Sequence, residues 1–357
     1  MKIRAKIKNY HLLFENNVLE RKSDLFRSIK TGKPFYFIDE SVYKIYRKRL
    51  DKFIGQEKYL LIPATEYNKS YLKIADYYRK LVELKFTRED TLVTFGGGIL
   101  QDISGFIAST LYRGIKWIFF PTTLLAQADS CIGSKTSINL DDSKNLIGTF
   151  YPPDYIFNDL SFSKTLNAGY FNSGLGEIIK FHLMSDGKGY DLLKKYLSCP
   201  NLRENKYFEK VVYSTLMIKY SYFKEDELDS GKRNLLNYGH CFGHALESAS
   251  NFNVCHGEAV IVGMGFANLV SLKRGIMLQN KYKEFEFILR KYYPRFDISR
   301  ISINDLIYYL GRDKKRTGKD LTMILAQDIG KQFKYSDLKK GEIRMIYREF
   351  VRNYPKQ

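Results

Sequence analysis

The feature that most constrains the fold is a change of period near Leu166. Before it, short β-rich runs alternate with amphipathic stretches. FYFID (35–39) precedes a helical pattern from Val42 to about Phe53, and KYLLIP (58–63) precedes one from about Lys69 to Lys85. TLVTF (91–95) runs through three glycines into ILQDISGFIASTL, and KWIFFP (116–121) is a fourth strand. Strands separated by helices of this length argue for a parallel sheet covered on both faces. Beyond Leu166, apolar residues recur at spacings of three and four through 171–183, 204–224, 234–250, 256–274, 280–292 and 302–311, the signature of a helical domain. A strand pair, LTMIL (321–325) and KQFKY (331–335), interrupts it, and GEIRMIYREFVRNY closes the chain as a helix. An α/β domain over 1–166 and a mostly α-helical domain over 167–357 are therefore expected.

A length of 357 residues exceeds one ordinary core, which also argues for two domains. The N-terminus MKIRAKIKNYHLLFE mixes charge with apolar residues and lacks the apolar core of a signal peptide. No run approaches 18 apolar residues, so membrane insertion is not expected. The four cysteines (Cys131, Cys199, Cys241, Cys255) form no CxxC pair, as expected of a reduced cytoplasmic protein. The net charge of +19 invites a nucleic-acid reading. Yet the basic residues are spread along the chain, with no arginine-rich tail or recognition module. That spread points to compositional bias, and neither nucleic acid nor membrane is expected as a partner.

Three of the five histidines, His240, His244 and His256, fall in the segments NYGHCFGHALE and NVCHGEAV. His240 and His244 sit at i and i+4 and share one face of a helix. Two imidazoles and one carboxylate leave a divalent cation an open position for substrate. Glu177 in GLGEIIK is the candidate carboxylate, and Glu177, His240 and His256 are the proposed metal ligands. Lys180, at i+3 from Glu177, is flanked by Leu, Ile and Phe, which places that pair partly out of solvent.

Gly96-Gly97-Gly98 follows a strand and opens a helix, where backbone N–H groups can approach a pyrophosphate at a positive helix end. Such a turn serves structure alone equally well, and it is not GxGxxG. Asp39 ends the first strand, where it could accept from ribose hydroxyls or cap a helix. The stretch 121–153, rich in Thr, Ser, Gly, Lys and Asn, shows little helical period and is read as a loop. It carries Lys135, Lys144 and Asn145, and its low charge suits the lining of a site. The run from Asp229 through Arg233 and Asn237 to His240 is the densest polar stretch.

Taken together, GGGILQDISGFIASTLYRG, PTTLLAQADSCIGSKTSIN, SKNLIGTFYPP, GLGEIIK, NYGHCFGHALE and CHGEAV resemble the 3-dehydroquinate synthase family of sugar-phosphate cyclases. The resemblance runs from IDESV to GKDLTMIL. It implies an α/β N-terminal Rossmann-like dinucleotide-binding domain and a mostly α-helical C-terminal metal- and substrate-binding domain. It further implies an enzyme dependent on NAD and on a divalent metal, Zn or Co. The family's metal ligands match Glu177, His240 and His256. Its NAD-binding positions match Asp39, Glu66, Lys69, Gly97, Gly98, Asp102, Thr122, Thr123 and Lys144. Substrate contacts match Asp129, Lys135, Asn145, Lys180, Lys219, Arg233, Asn237 and Lys319. His244 matches a histidine near the substrate phosphate and the reacting centre. The roles implied as catalytic fall on His244, Lys180, Lys219 and Asp129. Arg113 in LYRG matches an arginine that reaches the phosphate across a dimer interface, so a homodimer is implied.

The implied chemistry removes hydride from a ring carbinol to NAD, eliminates phosphate from the acidified position, returns the hydride, opens the ring and closes a carbocycle by aldol addition. An anionic sugar phosphate demands cationic partners. Retention of Lys219, Arg233 and Asn237 favours a carboxylated heptulosonate phosphate, because unpaired cations in a dry site are costly. A paralogue acting on another C7 substrate and a metal-dependent polyol dehydrogenase are the alternatives. The chain departs from the family pattern at Gln101, Thr65 and Ser134, each in place of glycine, and at Asp229, in place of glutamate.

Overall fold

Strand formation begins earlier than the sequence pattern predicts. In this computed structural model β1 (Lys2–Ile3) and β2 (Tyr10–Phe14) pair antiparallel at one edge of a seven-stranded sheet. After α1 (Lys22–Arg27) the chain runs β3 (Pro34–Asp39), α2 (Glu40–Ile54), β4 (Tyr59–Ile62), α3 (Tyr71–Glu83), β5 (Thr91–Gly96), α4 (Gly98–Thr110) and β6 (Lys116–Pro121). These are the alternating elements read from the sequence. The structure describes residues 1–27, 32–141, 143–311 and 321–355. Lys319, assigned above to substrate, lies outside them.

The segment 121–153 is not a loop. A π-helical turn, Ala126–Ser130, leads into an antiparallel hairpin of β7 (Lys135–Leu140) and β8 (Ser143–Phe150). Its Ser, Thr, Asn and Lys content hides the strand period, although Thr136 and Ile138 alternate inward. Next, β9 (Tyr155–Asn158) completes the sheet in the order β1-β2-β9-β6-β5-β3-β4, parallel throughout except for β1.

Residues alternate across β3. Tyr36 and Ile38 join Val93, Phe95, Ile118 and Phe120 in a core closed by Val42, Leu50 and Phe53 of α2. Phe35 and Phe37 point the other way, against Phe86 and against Tyr77 of α3. Thr94 donates to Ser104 of α4 at 2.8 Å on that second face. Burial on both faces explains why these strands read as continuous apolar runs. The strand order reverses between β3 and β5, and in open α/β sheets ligands bind beside the carboxyl ends of strands at such a switch point. Asp39 and the Gly96 turn occupy those two ends.

Met1–Asn167 and Ala168–Gln357 form two separate compact units. The second contains α5 (Ala168–Leu183), α6 (Gly187–Leu197), α7 (Phe208–Glu225), a 3₁₀ turn Lys232–Asn237, α8 (His240–Ala249), α9 (His256–Lys273), α10 (Gln279–Leu289) and α11 (Ile303–Gly311). A β10 (Leu321–Asp328) and β11 (Lys331–Leu338) pair and α12 (Lys340–Asn353) follow. The sequence reading missed α6, whose start is set by Asp186 capping Gly189 N–H at 3.1 Å. Helix α9 is buried on nearly every side and is the axis of this unit. Two neighbours meet it backbone to backbone. A Cβ on Gly176 of α5 would lie 2.2 Å from the Gly257 carbonyl oxygen, and one on Gly263 would lie 1.9 Å from that of Gly239. Each contact is one residue from a predicted metal ligand, so the glycines fix where Glu177, His256 and His240 emerge. Among the described residues no helix is long and apolar enough to cross a membrane.

Candidate active site

Glu177 is fully buried on α5, and its Oε1 lies 3.4 Å from the Nε2 atoms of both His240 and His256. His240 opens α8 and His256 opens α9. The Nδ1 of His240 is 3.3 Å from the carbonyl oxygen of Tyr238. A carbonyl only accepts, so this nitrogen carries the proton and Nε2 presents its lone pair toward Glu177. The Nδ1 of His256 is 3.2 Å from Oε2 of Glu247. A carboxylate on the outer nitrogen is the arrangement that orients metal-binding imidazoles. His244 joins the group. Ligand atoms of His240, His244 and His256 all lie within 4.8 Å of one another, and His244 is the exposed member.

Lys180 reaches back one turn to Oε2 of Glu177. Burial raises the Glu177 carboxyl pKa, but Lys180 and then His256 outweigh it and hold it at about 2. Burial also disfavours charge on His256, yet the neighbouring Glu177 and Glu247 carboxylates prevail and push it up to about 10. Burial, Lys180 and the other two histidines push His240 well below the ordinary histidine range. The metal-free site is thus an ionised carboxylate, a neutral imidazole and an imidazolium. No donor meets the Glu177 oxygens with hydrogen-bond geometry. A buried carboxylate short of donors, beside two Nε2 atoms whose outer nitrogens are engaged, fits a divalent cation with nitrogen and oxygen ligands.

The other second-unit residues sit close along the chain. Lys219 is buried on α7, which packs against the Lys232–Asn237 turn. Arg233 is buried in that turn, with its Nη1 donating to the Glu227 carbonyl at 2.5 Å. Asp226 shapes the approach by accepting from the backbone N–H groups of Ser230, Gly231 and Arg233. Partial burial raises its pKa, but those N–H groups bring it to about 2. Asn237 donates to the Asn234 carbonyl at 2.8 Å.

In the first unit a second cluster forms around Lys69. Its Nζ lies 2.5 Å from Oδ2 of Asp102 and 2.6 Å from Oδ1 of Asn145. Burial pushes the Asp102 carboxyl up, while Lys69 and two bonds from Ser137 pull against it. Asn139 donates to Oε2 of Glu66 at 2.8 Å and accepts the N–H of Asn145 at 2.9 Å, which holds Asn145 at a left-handed φ of 54°. Lys144 pairs with Glu66 at 3.7 Å.

Gly97 caps α4, where a Cβ would meet Thr123 Cγ2 at 2.8 Å. Thr122 N–H donates to the Gly96 carbonyl at 2.9 Å, and its buried hydroxyl has no hydrogen-bond partner. A bare glycine turn opening a 13-residue helix, with an orphaned hydroxyl alongside, fits a dinucleotide phosphate. Asp39, at the end of the strand beside the glycine turn, caps α2 by accepting from Ser41 N–H at 2.8 Å, and burial raises its pKa. Asp129 lies on the π-helical turn, Lys135 is exposed on β7, and Arg113 is exposed just beyond α4 at a φ of 63°.

Sequence reasoning missed Glu247, Ser137 and Asn139. Glu247 could have been found, since seven residues from His240 is two helical turns along one face. Ser137 and Asn139 gain their partners only once the hairpin folds.

Residues 59–173 match the 3-dehydroquinate synthase N-terminal family and residues 174–316 the 3-dehydroquinate synthase C-terminal family. The 3-dehydroquinate synthase of Clostridium acetobutylicum is 35% identical over 95% of this chain and 96% of its own length. The chain belongs to the 3-dehydroquinate synthase family. Its fold is also that of 2-deoxy-scyllo-inosose synthase, solved with carbaglucose-6-phosphate, NAD+ and Co2+, at 23% identity and a TM-score of 0.86 over 99% of this chain and 100% of that one. A 2-epi-5-epi-valiolone synthase from Streptomyces hygroscopicus, solved with NAD+ and Zn2+, matches at 23% identity and a TM-score of 0.85 over 98% of both chains.

Proposed function

We propose that this protein is a 3-dehydroquinate synthase, converting 3-deoxy-D-arabino-heptulosonate 7-phosphate to 3-dehydroquinate and phosphate. The observation that carries the proposal is the meeting of the buried Glu177 carboxylate with Nε2 of His240 and His256. Glu177, His240 and His256 hold a divalent metal, Zn or Co, the ions named with the two cyclases of this fold. Asp39, Glu66, Lys69, Gly97, Gly98, Asp102, Thr122, Thr123 and Lys144 hold NAD. When bound, the metal supplies Lewis acidity at a ring carbinol oxygen, and NAD supplies a hydride acceptor that is restored in every cycle.

The chain's own side chains bind and orient the substrate. Lys219 and Arg233, both buried, offer fixed cations to the carboxylate, and Asn237 donates an amide beside them. Lys135, Asn145 and Lys319 complete the set of substrate contacts. His244 and Lys180 flank the metal ligands and hold or move protons near the leaving phosphate. Asp129 positions the ring hydroxyls. Arg113 serves the phosphate of a second copy in a homodimer.

The decisive assay supplies the heptulosonate phosphate with NAD in catalytic amount. Phosphate release without net NADH is expected. Phosphate release only from an uncarboxylated C7 sugar phosphate would make the protein a paralogue, and NADH accumulation without phosphate would make it a polyol dehydrogenase.

A further inference from the structure

Gln101 replaces a glycine of the family pattern, and the structure gives its side chain two bonds to a single residue. Its Nε2 donates to the Ser130 carbonyl at 2.7 Å, and its Oε1 accepts from the Ser130 hydroxyl at 2.6 Å. Both polar ends of the amide are used, and the side chain is buried. Ser130 ends the π-helical turn that carries Asp129. The last carbonyls of a helical turn lack partners within it. Gln101 satisfies one of them from the first turn of α4, one helical turn beyond Gly97.

The other side of the same turn is held by a second glutamine. Gln127 is fully buried and donates from Nε2 to the Pro121 carbonyl at 3.1 Å and to the Asp159 carbonyl at 2.7 Å. Its own backbone carbonyl accepts from Asn158 at 2.9 Å. Gln127 ties the turn to the sheet ends, whereas Gln101 ties it to the glycine turn. Asp129 lies between the two anchors.

We infer that Gln101 is a positioning residue that fixes the Asp129 carboxylate relative to the glycine turn, through its paired bonds to Ser130. The inference rests on the cyclase reading of Asp129. A displacement of a substrate contact by a fraction of an ångström slows a reaction that depends on orientation while leaving dinucleotide affinity alone.

The test uses the full-length enzyme loaded with NAD and Zn2+, with phosphate release as the rate and calorimetric NAD affinity as an independent readout. Gln101→Met keeps the length of the side chain and removes both hydrogen-bonding groups. It is expected to lower kcat about tenfold while the NAD Kd stays within about threefold. Ser130→Ala loses one of the two bonds and is expected to cost about threefold. The double variant should be no slower than Gln101→Met, because both changes act on one contact. Full turnover in Gln101→Met, or losses that multiply in the double variant, overturns the inference. Asp129→Asn separates the two levels of the argument. If it turns over normally, the reading of Asp129 fails and the inference fails with it. If it is inactive while Gln101→Met is not, the inference alone fails.

Discussion

Oε2 of Glu247 lies 3.2 Å from Nδ1 of His256, two turns along α8 from His240. This carboxylate takes the outer nitrogen of one proposed ligand, as the Tyr238 carbonyl does for the other. Glu247→Gln keeps the shape and weakens the bond. Outer partners of this kind are worth about 10- to 100-fold in metal affinity, so Zn2+ should bind weaker by that range with the thermal midpoint of the apo-protein little changed. Competition against a chromogenic chelator measures it, and unaltered affinity would remove Glu247 from the site.

Metal binding should release one proton at neutral pH. His256 is protonated in the apo-site because its pKa stands at about 10, whereas His240 is already neutral and Glu177, at about 2, is already ionised. A metal needs the neutral imidazole, so binding competes with that single proton. Affinity should therefore rise about tenfold per pH unit between about pH 6 and 8. Titration calorimetry in buffers of different ionisation enthalpy reads the proton count directly. A flat affinity across that range would contradict the assignment.

His182 predicts acid sensitivity of a different origin. It is fully buried in α5, its Nδ1 is 2.9 Å from the Ile178 carbonyl, and its Nε2 has no partner. Burial pushes its pKa down to about 4, opposed only by that one carbonyl. Between the ordinary value of about 6.5 and the folded value, the unfolded chain binds the extra proton and the folded one does not. Stability is therefore lost as pH falls through this window, by on the order of 2 kcal/mol at pH 5. Denaturant melts of wild type and His182→Leu at pH 5 and 7 test this, with a smaller pH difference expected in the variant.

The buried parallel strands were the most legible part of the molecule. β3, β5 and β6 are covered on both faces, so Phe35–Ile38 and Trp117–Phe120 are apolar without interruption and Thr94 alone breaks Leu92–Phe95. The histidine cluster was legible for a similar reason, since His240 and His244 are tied by helical spacing alone. The β7–β8 hairpin was not, because Ser137, Lys144 and Asn145 on its strands serve the polar network rather than strand propensity. Helix α6 escaped because GKGYDLLKKYL is short and opens on two glycines. The bonds from Asn139 to Glu66 and from Gln101 to Ser130 join residues 73 and 29 positions apart. No local period records them.

Lys69 links two residues assigned to different ligands, Asp102 to the dinucleotide and Asn145 to substrate. Lys69→Met removes a cation bonded to an Asp102 carboxylate whose side chain is 24% exposed. The expected cost is about 2 kcal/mol, less than for a fully buried pair because water reaches Asp102. NAD affinity should fall with it. Adding Asp102→Asn removes the stranded charge and should recover part of the stability without recovering NAD binding, as read by melting and calorimetry on the same samples.

Gly97 serves two purposes that a pair of substitutions can separate. Its φ of −91° and ψ of −162° are open to any residue, so alanine meets no backbone strain there. What alanine meets is Thr123, with Cγ2 at 2.8 Å and Oγ1 at 3.1 Å from the new methyl group. Overpacking of this kind costs about 1–3 kcal/mol. Thr123→Ser deletes the nearer atom while keeping the hydroxyl that accepts the Ala126 N–H at 3.2 Å. The double variant should therefore regain part of the stability that Gly97→Ala loses. NAD affinity should stay low in both, because the methyl group remains on the face where backbone N–H groups approach a pyrophosphate. If Thr123→Ser restores affinity together with stability, Gly97 is there for packing alone.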